Sequence, residues 1–163
     1  MSYWQQLVPP DFAVPLRVDA DGFHLRMLTV NDLVKDYDAV MSSAARLQGS
    51  MSPGGKWPDG LTLEADLVDL GWHQHEFRTR RSFCYTVMSS DESTCLGCCY
   101  IYPSEKAGYD AMAFWWVRTS AVAEGLDERL GTVFRNWLRD VWPFQRVAFP
   151  ARDISWDEWK AAS

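Results

Sequence analysis

The chain has 163 residues, enough for one domain that buries most of the apolar surface its unfolded form exposes. Its formal net charge of −6 argues against a nucleic-acid binder, which would carry a clustered basic face. No apolar run reaches the ~20 residues needed to cross a bilayer, so no membrane partner is expected.

Only Arg78, Arg80 and Arg81 come close together among the basic residues, and a short run at a helix end reads as dipole compensation. The opening MSYWQQLVPPDF lacks the charged start and apolar centre of a secretion signal, which places the chain in the cytoplasm and its four Cys as thiols. Residues 1–21, with Pro9, Pro10 and Pro15, read as an extended arm, and residues 22–163 as a single domain. Gly22 opens a strand, FHLRML, with Phe23, Leu25 and Met27 on one face and His24 and Arg26 on the exposed other. Thr29 followed by Asp32 is an N-cap with an acidic third position. The helix it starts runs to about Leu47, with Val30, Leu33, Val34, Tyr37, Val40, Met41 and Ala44 on its apolar side. Residues 48–60, QGSMSPGGKWPDG, are a long loop of the kind that covers a site, and equally read as a plain connection.

Thr62 caps a second helix to about Thr79 with the stripe Leu63, Leu67, Leu70 and Phe77. His73 and His75 stand about 200° apart on it and cannot share a metal, while Asp69, His73 and Glu76 fall on one side that reads as solvated. Residues 82–102 form a hairpin, SFCYTVM and CLGCCYIYP around the turn SSDEST. With Met88 opposite Cys95, Cys84 faces Cys99, and buried thiols acting as small hydrophobes account for the four Cys better than a metal knuckle at Cys95-x-x-Cys98. Gly97 inside the strand marks a bulge or a close backbone approach.

Residues 110–118, DAMAFWWVR, are a mostly apolar strand. From Leu126 onward Leu130, Val133, Phe134, Trp137, Leu138 and Val141 line one helical face that must lie on a sheet. TSAVAEG connects the two, so the helix begins near Gly125 with free first-turn amides, an end suited to a phosphate. Trp142-Pro143 stops it and FQRVAF reads as a further strand. In the amphipathic end ISWDEWKAAS, Trp156 and Trp159 dock either on the core or on a partner chain, as in a homodimer, and the sequence leaves both open.

The segment FHLRMLTVNDL, the pair WVR and LGTVFRNWL, the proline arm, the hairpin FCYTVM to LGCCYIYP and the Trp-Pro-Phe together resemble the GNAT superfamily of N-acetyltransferases, within a small bacterial subgroup. The resemblance covers about residues 12–150 through many weak matches. It implies an α+β fold, a mixed sheet flanked by helices in three layers, shortened at the C-terminus. It also implies acetyl-CoA as co-substrate, with its pantetheine arm between the splayed fourth and fifth strands and its pyrophosphate on the amides of a Q/R-x-x-G-x-G/A loop. On that pattern Trp116, Val117 and Arg118 offer backbone to the cofactor, and Gly125, Arg129 and Gly131 lie near its pyrophosphate. Leu126 then stands at the loop's first position and Arg129 at its middle Gly, supplying charge in place of an amide, while Glu124, Asp127 and Glu128 would repel an anion.

Asp110 is the carboxylate matching the family's strand base, and no Tyr follows Tyr109 to protonate a leaving thiolate. The implied reaction is acetyl transfer to a small-molecule amine, with the 48–60 loop shaping the acceptor pocket. The rival reading is a non-catalytic module of the same fold that has lost CoA binding; in it the WWV stretch is core and Gly131 only lets a helix pack closely. A thiol or zinc site at Cys84, Cys95, Cys98 and Cys99 is the third.

Overall fold

Near-continuous apolar runs put both faces of the central strands in contact with helices, and those helices decide where the clefts lie. The computed structural model describes residues 4–163; the first three residues of the expected arm lie outside it. Strands β1 (Arg17–Asp19), β2 (Phe23–Met27), β3 (Phe83–Ser89), β4 (Cys95–Pro103), β5 (Ala111–Val117) and β6 (Val147–Ala148) form one sheet in that spatial order. Neighbours are antiparallel except β5 and β6, which are parallel. The result is a six-stranded mixed sheet flanked by helices. No helix among the described residues is long and apolar enough to cross a membrane.

Helix α5 (Leu126–Asp140) lays Leu126, Leu130, Phe134, Trp137 and Leu138 on the face carrying Leu25, Tyr85, Val87, Trp115 and Val117. On the opposite face α1 (Leu33–Met41), α2 (Ala44–Leu47) and α3 (Leu63–Arg78) cover Cys84, Met88, Cys98, Tyr100, Phe114 and Trp116. Each such large side chain, taken out of water, contributes roughly 1.5–3 kcal/mol. Gly131 sets the α5 distance: a Cβ there would stand 2.6 Å from Cζ2 of Trp115.

The arm holds regular structure after all, since β1 pairs with β2. It is pinned where the Tyr85 hydroxyl donates to the Pro15 carbonyl at 2.6 Å and Arg80 donates to the carbonyls of Pro9 and Phe12. The first helix is broken into a 3-10 turn (Val30–Asp32), α1 and α2, and Val34 is 75% exposed, so its apolar side is narrower than the spacing suggested. Thr29 and Asp32 close a capping box. His24 is buried, not exposed: its ring meets Glu92 at 2.7 Å, and Glu92 also accepts from Arg26.

Within the hairpin, Val87 pairs with Gly97 but Met88 with Cys95, leaving Leu96 as the extra residue of a bulge. That slip puts Cys84 opposite Tyr100 and Tyr85 opposite Cys99, correcting the Cys84–Cys99 pairing. Gly97 is also a close approach, since a Cβ there would lie 2.0 Å from the Trp116 carbonyl oxygen. TSAVAEG contains a short helix, α4 (Thr119–Val122), and FQRVAF contributes only the two residues of β6. In helix α6 (Trp156–Ala161), Trp156 stacks on Phe114 and Trp159 meets Tyr109 edge-on, both within this chain.

Candidate active site

Strands β5 and β6 pair only at Ala111–Val147 and Met112–Ala148. Past that point β6 ends and the chain turns, so among the described residues no strand neighbours Ala113 to Val117 on this edge, and a wedge opens toward the C-terminal end of β5. Helix α5 starts at the wedge mouth on Gly125, with no side chain capping its first amides. A cleft of about 540 Å³ lies there, lined by Trp115, Asp127, Glu128, Gly131, Thr132, Arg135, Ala151 and Arg152.

Two arginines occupy this cleft. The Arg152 guanidinium lies 3.6 Å over the Trp115 ring, donates to the Trp115 carbonyl at 3.0 Å, and pairs with both oxygens of Asp127 at 2.8 and 2.9 Å. Asp127 also accepts from Trp115 Nε1 at 3.1 Å. Burial works to raise the Asp127 carboxyl, but the Arg152 bonds outweigh it and hold it below the usual carboxylate range. Arg135 sits over Phe149 and Trp115 and is itself held by two 2.7 Å bonds to Asp153. On the other side of β5, Arg46 of α2 donates to the Val117 carbonyl and to Thr119 Oγ1.

The expected site residues therefore separate. Trp116, Val117, Gly125 and Gly131 line or border the wedge end of β5 and the start of α5, although the Trp116 side chain faces α1 and α3. Arg118 turns away to the β4 carbonyl of Cys95 and to Asp38. Arg129 faces Asp21 and Phe23 across a separate surface hollow. Asp110 stands at the closed end of β5, where its carboxylate accepts from the amides of Gln145 and Arg146 at 2.6 and 2.9 Å. It holds the turn into β6 and does not face the wedge. Arg135 and Arg152 were not legible as site residues: one lies on a helix outside the loop pattern, the other in the irregular stretch ARD.

Under the 48–60 loop, on the opposite face of the sheet, is a partly open cavity of about 290 Å³. Met51 and Trp57 of that loop line it, as do Asp36 of α1, Asp66, Asp69, Trp72 and His73 of α3, and Tyr100 and Tyr102 of β4. Of the α3 side expected to be solvated, Asp69 is exposed at the cavity rim, His73 is half-buried against the cavity, and Glu76 is buried. Trp57 packs against Trp116, whose Nε1 donates to the Tyr100 hydroxyl, so the cavity wall is continuous with the inner side of β5. Burial pushes the Asp36 carboxyl well above the usual range, with Cys95 and Asp66 adding to the rise, and burial raises Asp66 likewise. Burial also pushes His73 down to about 4, so it is neutral at pH 7.

The bulge turns Cys95 and Cys98 to one face, where Asp36, Cys95 and Cys98 each bring a ligand-type atom within 4.8 Å of the others. Cys98 donates to Asp36 and Cys95 to the Gly97 carbonyl. Cys99 belongs to the α5 face, so the four thiols do not form one cluster.

A sheet whose parallel pair splays apart at the start of a helix is the fold of the GNAT acetyltransferases. Among solved structures it is similar to the ribosomal-protein-S5-alanine acetyltransferase of Vibrio fischeri, with a TM-score of 0.66 at 13% identity over 82% of this chain and 72% of that one. RimL, a ribosomal L7/L12 α-N-protein acetyltransferase, in complex with coenzyme A gives 0.58 at 16% identity over 77% and 67%. The microcin C7 self-immunity acetyltransferase MccE, in complex with acetyl-CoA and AMP, gives 0.57 at 10% over 75% and 66%. No family model and no curated protein matches the sequence.

Proposed function

We propose that the protein is an acetyl-CoA-dependent N-acetyltransferase acting on a small-molecule amine. The observation that carries this reading is the parting of β5 from β6 after two residue pairs, with the uncapped start of α5 at the mouth of the gap. Acetyl-CoA would supply an acetyl thioester to this gap. The chain's own part is to hold and orient it: Trp115 presents a carbonyl on the wedge side, α5 presents free amides, and Arg152 and Arg135 supply positive charge beside them. Arg152 must then turn from Asp127 to the incoming anion. Positioning of this kind can supply ~7 kcal/mol or more of a transfer barrier.

The ribosomal-protein acceptors in the names of RimL and the Vibrio fischeri enzyme suggest a polypeptide amine as the alternative acceptor. The cavity lined by Met51 and Trp57 favours a small one, because a space of about 290 Å³ takes a compact molecule more readily than a chain end.

A thermal melt with acetyl-CoA, CoA and ATP tests the cofactor reading. A ligand at 100 times its Kd stabilises by ~2.7 kcal/mol, so acetyl-CoA at millimolar concentration is expected to raise Tm by several degrees and ATP by much less. No rise with acetyl-CoA overturns the reading. A second reading, a module of this fold without CoA binding, is favoured by the Arg152–Asp127 pair standing where the cofactor would lie.

A further inference from the structure

Cys95, Cys98 and Asp36 form a cluster of ligand-type groups that apolar packing does not explain. On an uninterrupted strand, residues three apart point to opposite faces, so Cys95 and Cys98 would part. The extra residue Leu96 turns both toward α1, where Asp36 stands against them, and one donor atom from each lies within 4.8 Å of the other two. Donors on a tetrahedral zinc ion stand about 3.3–3.8 Å apart, so these three close on one by shifts of about 1 Å. Packing accounts for a buried thiol but not for a carboxyl buried among thiols. Asp36 is only 4% exposed, and it meets the thiol of Cys98 at 3.5 Å and the carboxyl of Asp66, neither of them a cation. Cys84 of β3, whose thiol lies against that of Cys98, stands next in reach for a fourth position. Asp36 also borders the partly open cavity beneath the 48–60 loop, which gives an ion a way in.

We infer that Cys95, Cys98 and Asp36 hold a zinc ion that ties α1 to the bulge of β4. Two thiolates and a carboxylate form a borderline-soft set suited to Zn2+, whereas Mg2+ and Ca2+ take oxygen ligands. The protons balance within the site. Two carboxyls bonded to each other share at least one proton, and on binding it stays on Asp66 while Asp36 turns its oxygen to the ion. The two thiols give up their protons to solvent, so the dipositive ion replaces two protons and the buried charge is unchanged. Asp66 then acts as the outer partner that orients the carboxylate ligand. None of this depends on acetyl transfer.

Titration of the whole reduced chain, freed of metal by a chelator, with Co2+ and then Zn2+ tests the inference. One equivalent of Co2+ is expected to bring in thiolate-to-cobalt charge-transfer absorption, which oxygen or imidazole ligands do not give and which Zn2+ abolishes by displacement. Zn2+ is also expected to raise Tm by several degrees where Mg2+ does not. Outer partners of a metal site are worth about 10–100-fold in affinity, so Asp66→Asn is expected to weaken Zn2+ about tenfold, and Cys95→Ala or Asp36→Asn about a hundredfold. Cys99→Ala, on the α5 face, is expected to leave the affinity unchanged. Should the variants not fold, the cobalt spectrum of the unaltered chain decides alone. Binding without thiolate absorption, no binding at micromolar metal, or an equal loss in Cys99→Ala overturns the inference.

Discussion

Asp127→Asn separates the two readings of the wedge because it is expected to move stability and affinity in opposite directions. In the structure the carboxylate takes two bonds from Arg152 and one from Trp115 Nε1, with both ion-pair side chains about 30% exposed. An exposed pair contributes ~0–1 kcal/mol and a fully buried one costs ~3–5 kcal/mol to break, so this half-buried pair should cost about 1–2 kcal/mol. Asn keeps an oxygen for the indole N–H, which holds the loss at the lower end. Removing the charge also takes a carboxylate from the approach of an anion. At an effective dielectric of ~20, two charges about 6 Å apart interact by ~3 kcal/mol, and half of that, after screening, is about tenfold in affinity. Arg152 is at the same time released from its partner. Chemical denaturation should therefore show Asp127→Asn less stable by about 1–2 kcal/mol, while titration shows acetyl-CoA binding about tenfold tighter. If stability falls and acetyl-CoA affinity falls or stays unmeasurable, Arg152 and Asp127 are a structural tie and the cleft is not a cofactor site.

Gly131→Ala should destabilise by about 1–2 kcal/mol in urea, because overpacking against Trp115 exceeds the ~1 kcal/mol that Ala gains in a helix; a more stable variant would refute the close-packing argument. Gly97→Ala meets backbone atoms of Trp116 rather than a movable side chain, so its loss should exceed that of Gly131→Ala in the same titration. Glu92 is held down to about 2, chiefly by Arg26 and next by His24. Its contribution is therefore complete above its ordinary value near 4.5 and is lost as pH falls toward 2. Wild type should lose stability across that acid range faster than Glu92→Gln, and parallel pH curves would remove Glu92 from the account. Trp159→Ala should cost about 2–4 kcal/mol in thermal melts and leave the sedimentation behaviour unchanged, since its ring docks on Tyr109 of its own chain.

What the chain determined by itself are its local choices. Thr29 with Asp32, and Thr62, mark helix starts because short polar side chains meet free amides within three residues. The apolar spacing from Leu126 to Leu138 fixes α5, and the apolar runs of 83–89 and 95–103 around the turn SSDEST fix the hairpin, because helical period and turn chemistry are local properties of the backbone. Position in three dimensions was decided elsewhere. A one-residue bulge at Leu96 reassigned the partners of Cys84 and Cys99, since register slips by one move every later side chain. Asp110, matched by pattern to a catalytic base, became the tie of the 145–146 turn, and Arg152, unremarkable in sequence, came to lie over Trp115 in the wedge. Asp36 and Asp66, thirty residues apart on two helices, became neighbours only when α1 and α3 packed over β4. No periodicity encodes such meetings, because they depend on long-range packing of elements whose local sequences are individually indifferent to one another.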